Sequence, residues 1–387
     1  MATISSAPSA RRAMLSDRRA RLESSPLRHL DALLIAAVIG TAGLGMLMVY
    51  SATRNTVRGD PLYYVRRQGI FVLAGVLLMA AVMAVDYRKL RDLSVVVYAG
   101  LIFGLLAVLS PVGSRSKGTQ GWFQLPGGFQ LQPSEFAKFA LVIAVAGYCY
   151  QHRGDLDAWR LTVAVSLAIV PIGLVMLQPD LGTAMVMGLI VIAILAVAGL
   201  RARQLIVLLA LAATGVFAVV NLGVLQQYQV DRLTSFLNQG GDKKRATYNV
   251  DQSKTAVANG QLTGRGLFHG TQTQLGFVPE QRTDFIFTVV GEELGFLGGT
   301  TLLALFAIIV WRTWRTARLA GDFFGTLVCV GFLAMFTFQI FENIGMTMGI
   351  MPITGLPLPF MSYGGSSVIA YFACIGLIAS IHMRRFA

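Results

Sequence analysis

Charge is scarce in this chain: 13% of its 387 residues are Asp, Glu, Lys or Arg, against 55% hydrophobic residues and a mean hydropathy of +0.64. A soluble domain cannot cover that much apolar surface. Cysteine is scarce too. Cys149, Cys329 and Cys374 all lie inside apolar stretches, and an odd, widely spaced set excludes both a disulfide framework and a Cys-based metal site. They read as small hydrophobes. The four histidines (His29, His152, His269, His382) are scattered, so they offer no metal cluster. Walker loops and dinucleotide fingerprints are missing, so no nucleotide or organic cofactor is expected.

What is present is a series of apolar runs. About 18 apolar residues cross a hydrocarbon core as a helix, and ten spans are predicted, near 31–51, 68–86, 93–111, 134–150, 161–177, 182–200, 204–223, 286–311, 322–346 and 366–383. The expected fold class is therefore all-α, a polytopic integral membrane protein with ten transmembrane helices. Residues 1–29 are basic, small and polar and read as a disordered cytoplasmic tail; residues 30–387 form the membrane domain. The first apolar run is long enough to be retained as a span rather than cleaved as a signal.

The net charge of +13 does not imply nucleic acid, because the cations sit between apolar runs. With the amino terminus inside, inner segments hold 18 Lys and Arg and short outer loops hold 6. This bias places both termini in the cytoplasm. The 224–285 connection between helices 7 and 8 then becomes a large extracytoplasmic loop, and 110–135 and 351–367 face the same side. The inner connections are too short for a catalytic domain, so chemistry is expected at the outer face.

Among ionisable residues, Asp284 stands out in "VPEQRTDFIF", at the outer start of a span and flanked by Glu280 and Arg282. It is either a solvated acid favoured by the helix dipole, with Thr283 as a cap, or part of a site. Glu135 and Lys138 in "QPSEFAK" are three apart on one helix face. They form either an ion pair that enters the membrane together or a lysine presented to an anion. Asp180 in "QPDLG" reads as turn chemistry. Arg66 and Arg67 are interfacial anchors that could also meet a phosphate. Glu292, Glu293 and Glu342 lie within spans, where interhelical hydrogen bonds are expected. The Pro- and Gly-rich "PITGLPLPFMSYGGSS" should be a re-entrant or cavity-lining segment, because irregular backbone at membrane depth needs protein or water around it.

Taken together and in this order, "QLQPSEFAK", "QPDLG", "LGFVPEQRTDFIF" with "GEELG", and "NIGMTMGIMPITGLPLPFMSYGGSS" resemble the SEDS family (shape, elongation, division, sporulation) of bacterial cytoplasmic-membrane proteins. The resemblance runs over the whole chain after residue 30, and "GTQTQLGFVPEQRTDFIF" looks more like the elongation type than the division type. It implies a peptidoglycan glycosyltransferase that polymerises lipid II at the outer face of the membrane. It also implies a class B penicillin-binding protein as transpeptidase partner, with other elongation-complex membrane proteins. The family's essential acid falls on Asp284, and substrate-binding positions fall on Glu135, Lys138, Asp180 and Arg67, with Arg282 beside the acid.

The chemistry is consistent with those residue types. One carboxylate at the interface suffices to take the acceptor hydroxyl's proton. Lys138 and Arg67, or a divalent cation (Mg or Mn) for which Asp284 is the candidate ligand, would face the departing pyrophosphate. The rival readings are a lipid II flippase, a division-type role, another lipid-linked glycan enzyme, and a scaffold.

Overall fold

The computed structural model describes residues 29–57, 59–116, 119–221 and 245–386. The tail expected over 1–29 therefore lies outside the described residues except for its last position, as do 222–223 of the expected seventh span and 224–244 of the large loop. The helices are α1 (Ala32–Thr53), α2 (Tyr63–Ala84), α3 (Tyr87–Asp92), α4 (Ser94–Leu109), α5 (Pro133–Gln151), α6 (Ala158–Leu177), α7 (Leu181–Val197), α8 (Ala202–Asn221), α9 (Arg245–Gly260), α10 (Thr271–Leu275), α11 (Ile286–Leu319), α12 (Phe323–Thr347) and α13 (Gly365–Met383). A helix stands at each predicted span. Among the described residues, α1, α2, α6, α11, α12 and α13 are long and apolar enough to cross a membrane, and α4, α7 and the described part of α8 are shorter apolar helices. The α5 helix is apolar apart from Glu135 and Lys138 in its first turns.

The bundle is centred on α13, of which 94% is buried, whereas α2 beside it is only 17% buried. Glycines let these two approach: a Cβ at Gly376 would stand 2.7 Å from the Met79 carbonyl oxygen. At the end of the bundle remote from Asp284, Asp31 caps α1 through the Leu34 amide (3.1 Å) and accepts from Arg312 Nε of α11 (2.7 Å). The three cysteines are free and buried.

Two segments read as loops carry structure. Residues 110–132 form a small antiparallel sheet, β1 (Ser114–Ser116), β2 (Thr119–Leu125) and β3 (Phe129–Leu131), in the order β1-β2-β3. The β2–β3 turn is Pro126-Gly127-Gly128, with φ of +77° and +71° at the glycines, a backbone that residues with a Cβ rarely adopt. Part of the 224–285 loop is α9 and α10, folded over the start of α11. There Gly260 crosses Gly291 so closely that a Cβ would lie 1.8 Å from the Gly291 carbonyl oxygen.

That crossing depends on a break in α11 at Gly295 (φ +62°, ψ −157°). The carbonyls of Glu292 and Glu293 accept from the Arg265 and Gly266 amides (2.9 and 3.0 Å). The amides of Phe296 and Leu297 donate to Gln261 and Leu262 (2.8 and 3.1 Å). Backbone groups released by the kink are therefore satisfied by the loop, as burial requires.

The 348–364 segment is irregular and largely buried, as its composition predicts. The amide of Leu358 donates to Ser362 Oγ (2.8 Å), and Gln68 of α2 donates to the Ser362 carbonyl (3.2 Å). Helix α1 reaches this segment at Gly45, where a Cβ would come within 2.7 Å of Met361 Cα.

Candidate active site

A cavity of about 470 Å³ opens where several helices begin. Tyr64, Arg67 and Phe71 come from the start of α2; Gln132 and Glu135 from the start of α5; and Asp180 and Thr183 from the start of α7. Arg282 and Asp284 immediately precede α11, and Gly364 and Ser367 open α13. Five helix N-termini thus face one space. Their partial positive charges, with no side-chain cap at four of the five, favour an anion there. The walls are completed by Trp122 and Phe129 of the small sheet and by 353–357 of the irregular segment.

Asp284 sits two residues before α11. Its amide donates to the Glu280 carbonyl (3.1 Å), and its own carbonyl accepts from Asn343 Nδ2 (2.8 Å), which also donates to the Leu356 carbonyl (2.7 Å). Asn343 of α12 therefore ties the acid's backbone to the irregular wall. The Tyr363 amide donates to the Arg282 carbonyl (2.8 Å), a second tie between these segments. The expected cap is corrected: Thr283 Oγ1 turns back to Glu280 O (3.1 Å) and Oε2 (3.3 Å), and the N-cap position of α11 is Phe285, which supplies no side-chain cap.

Behind Asp284, the acids of α11 hold the loop. Glu292 Oε1 accepts from the Gln272 amide (2.8 Å) and Oε2 from the amide and hydroxyl of Thr273 (2.9 and 2.7 Å). Glu293 Oε2 accepts from the Phe268 amide (3.0 Å), while its Oε1 accepts from Ser51 Oγ of α1 (2.5 Å). The expectation of interhelical bonding thus holds for Glu293, which binds α1, and for Glu292, which supplies acceptors to the otherwise uncapped start of α10. Glu342 is buried beside Asp284 and Thr354 and makes no interhelical hydrogen bond among the described residues.

Arg67 is fixed between aromatic rings, 5.0 Å from the Tyr63 centroid and 4.8 Å from that of Phe129, and donates to the Gly127 carbonyl. Arg282 lies 4.4 Å over the Tyr64 ring. Burial holds the Tyr363 phenol above its ordinary pKa, and the Arg67 and Arg282 charges pull it back down. Two guanidinium groups therefore flank one tyrosine at the cavity. Arg66 points elsewhere, pairing with Asp60.

Glu135 and Lys138 form the expected i,i+3 pair (2.9 Å), but only Glu135 lines the cavity. Lys138 is 0% exposed, one layer deeper, with its ammonium 5.6 Å from the Tyr371 ring centroid. The reading in which Lys138 itself faces an anionic ligand is corrected on this point: Lys138 lies behind Glu135 and balances the carboxylate that the cavity meets. Asp180 does two things at once. Its Oδ1 caps α7 through the Thr183 amide (3.0 Å), and its Oδ2 accepts from Gln132 Nε2 (3.4 Å). Sequence reasoning missed Gln178, Asn343 and the Trp122/Phe129 wall. Only the last had a signal, a Pro-Gly-Gly turn between short alternating runs.

The family profile of the cell cycle proteins FtsW, RodA and SpoVE matches residues 31–386. The chain belongs to that family. Members of this SEDS group similar to it include stage V sporulation protein E of Bacillus subtilis, 36% identical over 91% of this chain and 96% of that protein. The peptidoglycan glycosyltransferase MrdB of Escherichia coli is 34% identical over 92% and 94%. A probable peptidoglycan glycosyltransferase FtsW of Geobacter metallireducens is 34% identical over 94% and 97%. Among solved structures, the rod shape determining protein RodA of Thermus thermophilus superposes with a TM-score of 0.69 at 30% identity, over 92% of this chain and 98% of that one. A chain of a peptidoglycan synthase complex that coordinates polymerization and crosslinking gives 0.78 at 31%, over 92% and 98%. This SEDS chain is a multi-pass protein of the cytoplasmic membrane and, by family, a peptidoglycan glycosyltransferase.

Proposed function

We propose that the cavity polymerises lipid II into β-1,4 glycan strands at the outer face of the membrane, with Asp284 as the general base. The observation that carries this reading is the convergence of Asp284 and two guanidinium groups on a cavity ringed by helix N-termini, whose other two carboxylates, Glu135 and Asp180, are engaged by Lys138 and by Thr183 and Gln132. In the reaction, Asp284 takes the proton of the acceptor sugar's hydroxyl as its oxygen attacks the donor's anomeric carbon. The bond to the undecaprenyl pyrophosphate breaks, and the leaving group's growing negative charge meets Arg67, Arg282 and the helix dipoles. Pyrophosphate leaves without protonation, so a single base and no covalent intermediate suffice, and the configuration inverts. Glu135, held by Lys138, and Asp180 with Gln132 shape the opposite, sugar-facing wall.

A divalent cation of the Mg or Mn type would find Asp284 as its protein ligand. Such ions commonly take one or two carboxylates and complete their shell with substrate phosphates and water. Among the described residues no group of three His, Cys, Asp or Glu forms an all-protein cage. The cation's contribution, when bound, is neutralisation of pyrophosphate charge.

The motif "LGFVPEQRTDFIF" supports an elongation role over a division role. The similarity to a chain of a peptidoglycan synthase complex supports a class B penicillin-binding protein as the crosslinking partner, alongside other elongation-complex membrane proteins. The test is polymerisation of lipid II by the purified protein. Wild type should give long glycan strands, and Asp284→Asn should lose about 10²-fold or more in rate while remaining folded. Full activity in that variant removes Asp284 from the chemistry, and lipid transport without glycan in the wild type makes the chain a flippase.

A further inference from the structure

Gln178 is the C-cap residue of α6, two positions before Asp180, and is 1% exposed. Both polar atoms of its side-chain amide, Oε1 and Nε2, are buried without a hydrogen-bond partner, yet the residue lines the cavity. A buried amide left unpaired destabilises a protein by roughly 1–3 kcal/mol, and most native polar groups avoid that state. Its neighbours are already engaged: Gln132 and Ser134 with Asp180, and Asp180 with the Thr183 amide. Among the described residues none completes Gln178. Gly121 of β2, also on the cavity wall, passes beside it, and a Cβ there would stand 3.5 Å from Oε1, an ordinary contact.

The missing partner can be described by its chemistry. A carboxamide offers a donor and an acceptor side by side. A phosphate has acceptors only and would leave Oε1 opposed by like charge. A second amide supplies one N–H and one C=O, and satisfies both atoms in one plane. An acetamido group also brings a methyl, for which Trp122, Leu181 and Leu356 provide an apolar wall in the same cavity. We propose that Gln178 is a specificity-determining residue that recognises the N-acyl group of an amino sugar of the substrate. This rests on the lipid-linked glycan reading of the cavity and deepens it by naming the group that is read.

The prediction separates recognition from structure through stability. If the amide has no partner inside the protein, Gln178→Met, an apolar side chain of similar size, should fold with an unchanged or raised Tm, because it removes an unsatisfied buried group. The same variant should bind the lipid-linked N-acetylated disaccharide about 10-fold or more weakly. It should also lose the wild type's preference for that ligand over the analogue bearing 2-hydroxyl groups. Gln178→Glu, which keeps the size and an acceptor but loses the donors, should retain the fold and lose the same preference. Binding is measured on the full chain in nanodiscs, with polymerisation followed in parallel. Unchanged affinity and preference in either variant overturns the proposal. So does a lower Tm or failure to fold in Gln178→Met, which would make the amide structural. Wild-type preference for the N-acyl ligand in binding, without glycan product, would sink the polymerase reading and leave the Gln178 assignment standing.

Discussion

The Arg67 guanidinium lies against the Tyr63 and Phe129 rings and donates to the Gly127 carbonyl, so its position is set before any ligand arrives. Gly128 makes the approach possible, since a Cβ there would lie 3.1 Å from an Arg67 terminal nitrogen. Lysine would keep the charge but neither the planar stack nor the fork of donors. Arg67→Lys should therefore cost roughly 10-fold or more in kcat/KM, while Tm changes little, because such a stack at a partly exposed site is worth only about 0.5–1 kcal/mol. An equal activity loss in Arg67→Ala and Arg67→Lys supports geometry; full activity in the lysine variant would reduce Arg67 to a point charge. At this scale the sequence was readable for a simple reason. Ionisable residues are rare here, so Asp284, Glu135 and Arg67 stand out against apolar runs. Gln178 carries no charge, and its unpaired state exists only once burial is known.

Helices were legible wherever a run of apolar residues had to be sequestered, and less so at their ends. Helix α2 begins at Tyr63 rather than near 68, and α11 continues to Leu319 rather than ending near 311. In both cases arginines extend the helix, being good helix formers whose long stems lie along apolar surface while the charge reaches water. The α9 helix escaped notice because it is polar and short of a spanning run; its packing on α11 depends on Gly260 and Gly291 meeting in space. The segment from α9 to Asp284 behaves as one element anchored by Glu292. Glu292→Gln would keep one acceptor oxygen and turn an amide N–H₂ toward the donors on the other side, those of either Gln272 or Thr273. We expect a loss on the order of 3 kcal/mol, since bonds to charged acceptors are worth about 1.5–3 kcal/mol each. Hydrogen exchange should quicken over 261–283 and remain unchanged in the core of α13, with polymerisation falling alongside. Unaltered exchange in that stretch would mean that the carboxylate does not hold the loop.

Across the whole molecule, one end gathers helix starts and the other gathers cations. The cavity collects the N-termini of α2, α5, α7 and α13 and the approach to α11. The far end carries Arg312 and Arg318 on α11, with Arg384 at the close of α13. This polarity agrees with the bias of Lys and Arg between spans. It suits an enzyme whose anionic, lipid-tethered substrate presents its reactive sugar on the side away from the cytoplasmic charges. Chemistry at that margin also explains why the carboxylate stands at the entrance of α11: deeper in the bundle no hydrophilic acceptor would reach it, and farther out the pyrophosphate would not. The arrangement predicts labelling. The native cysteines are all buried, so introduced thiols can be read against a low background. Leu275→Cys, at a position 66% exposed beside the cavity-bearing end, should react with a membrane-impermeant maleimide in spheroplasts. Arg315→Cys, exposed on the last turns of α11, should react only after permeabilisation. The reverse pattern would place Asp284 on the cytoplasmic side, away from any outer-face glycan acceptor, and no polymerase scheme built on that residue would survive it.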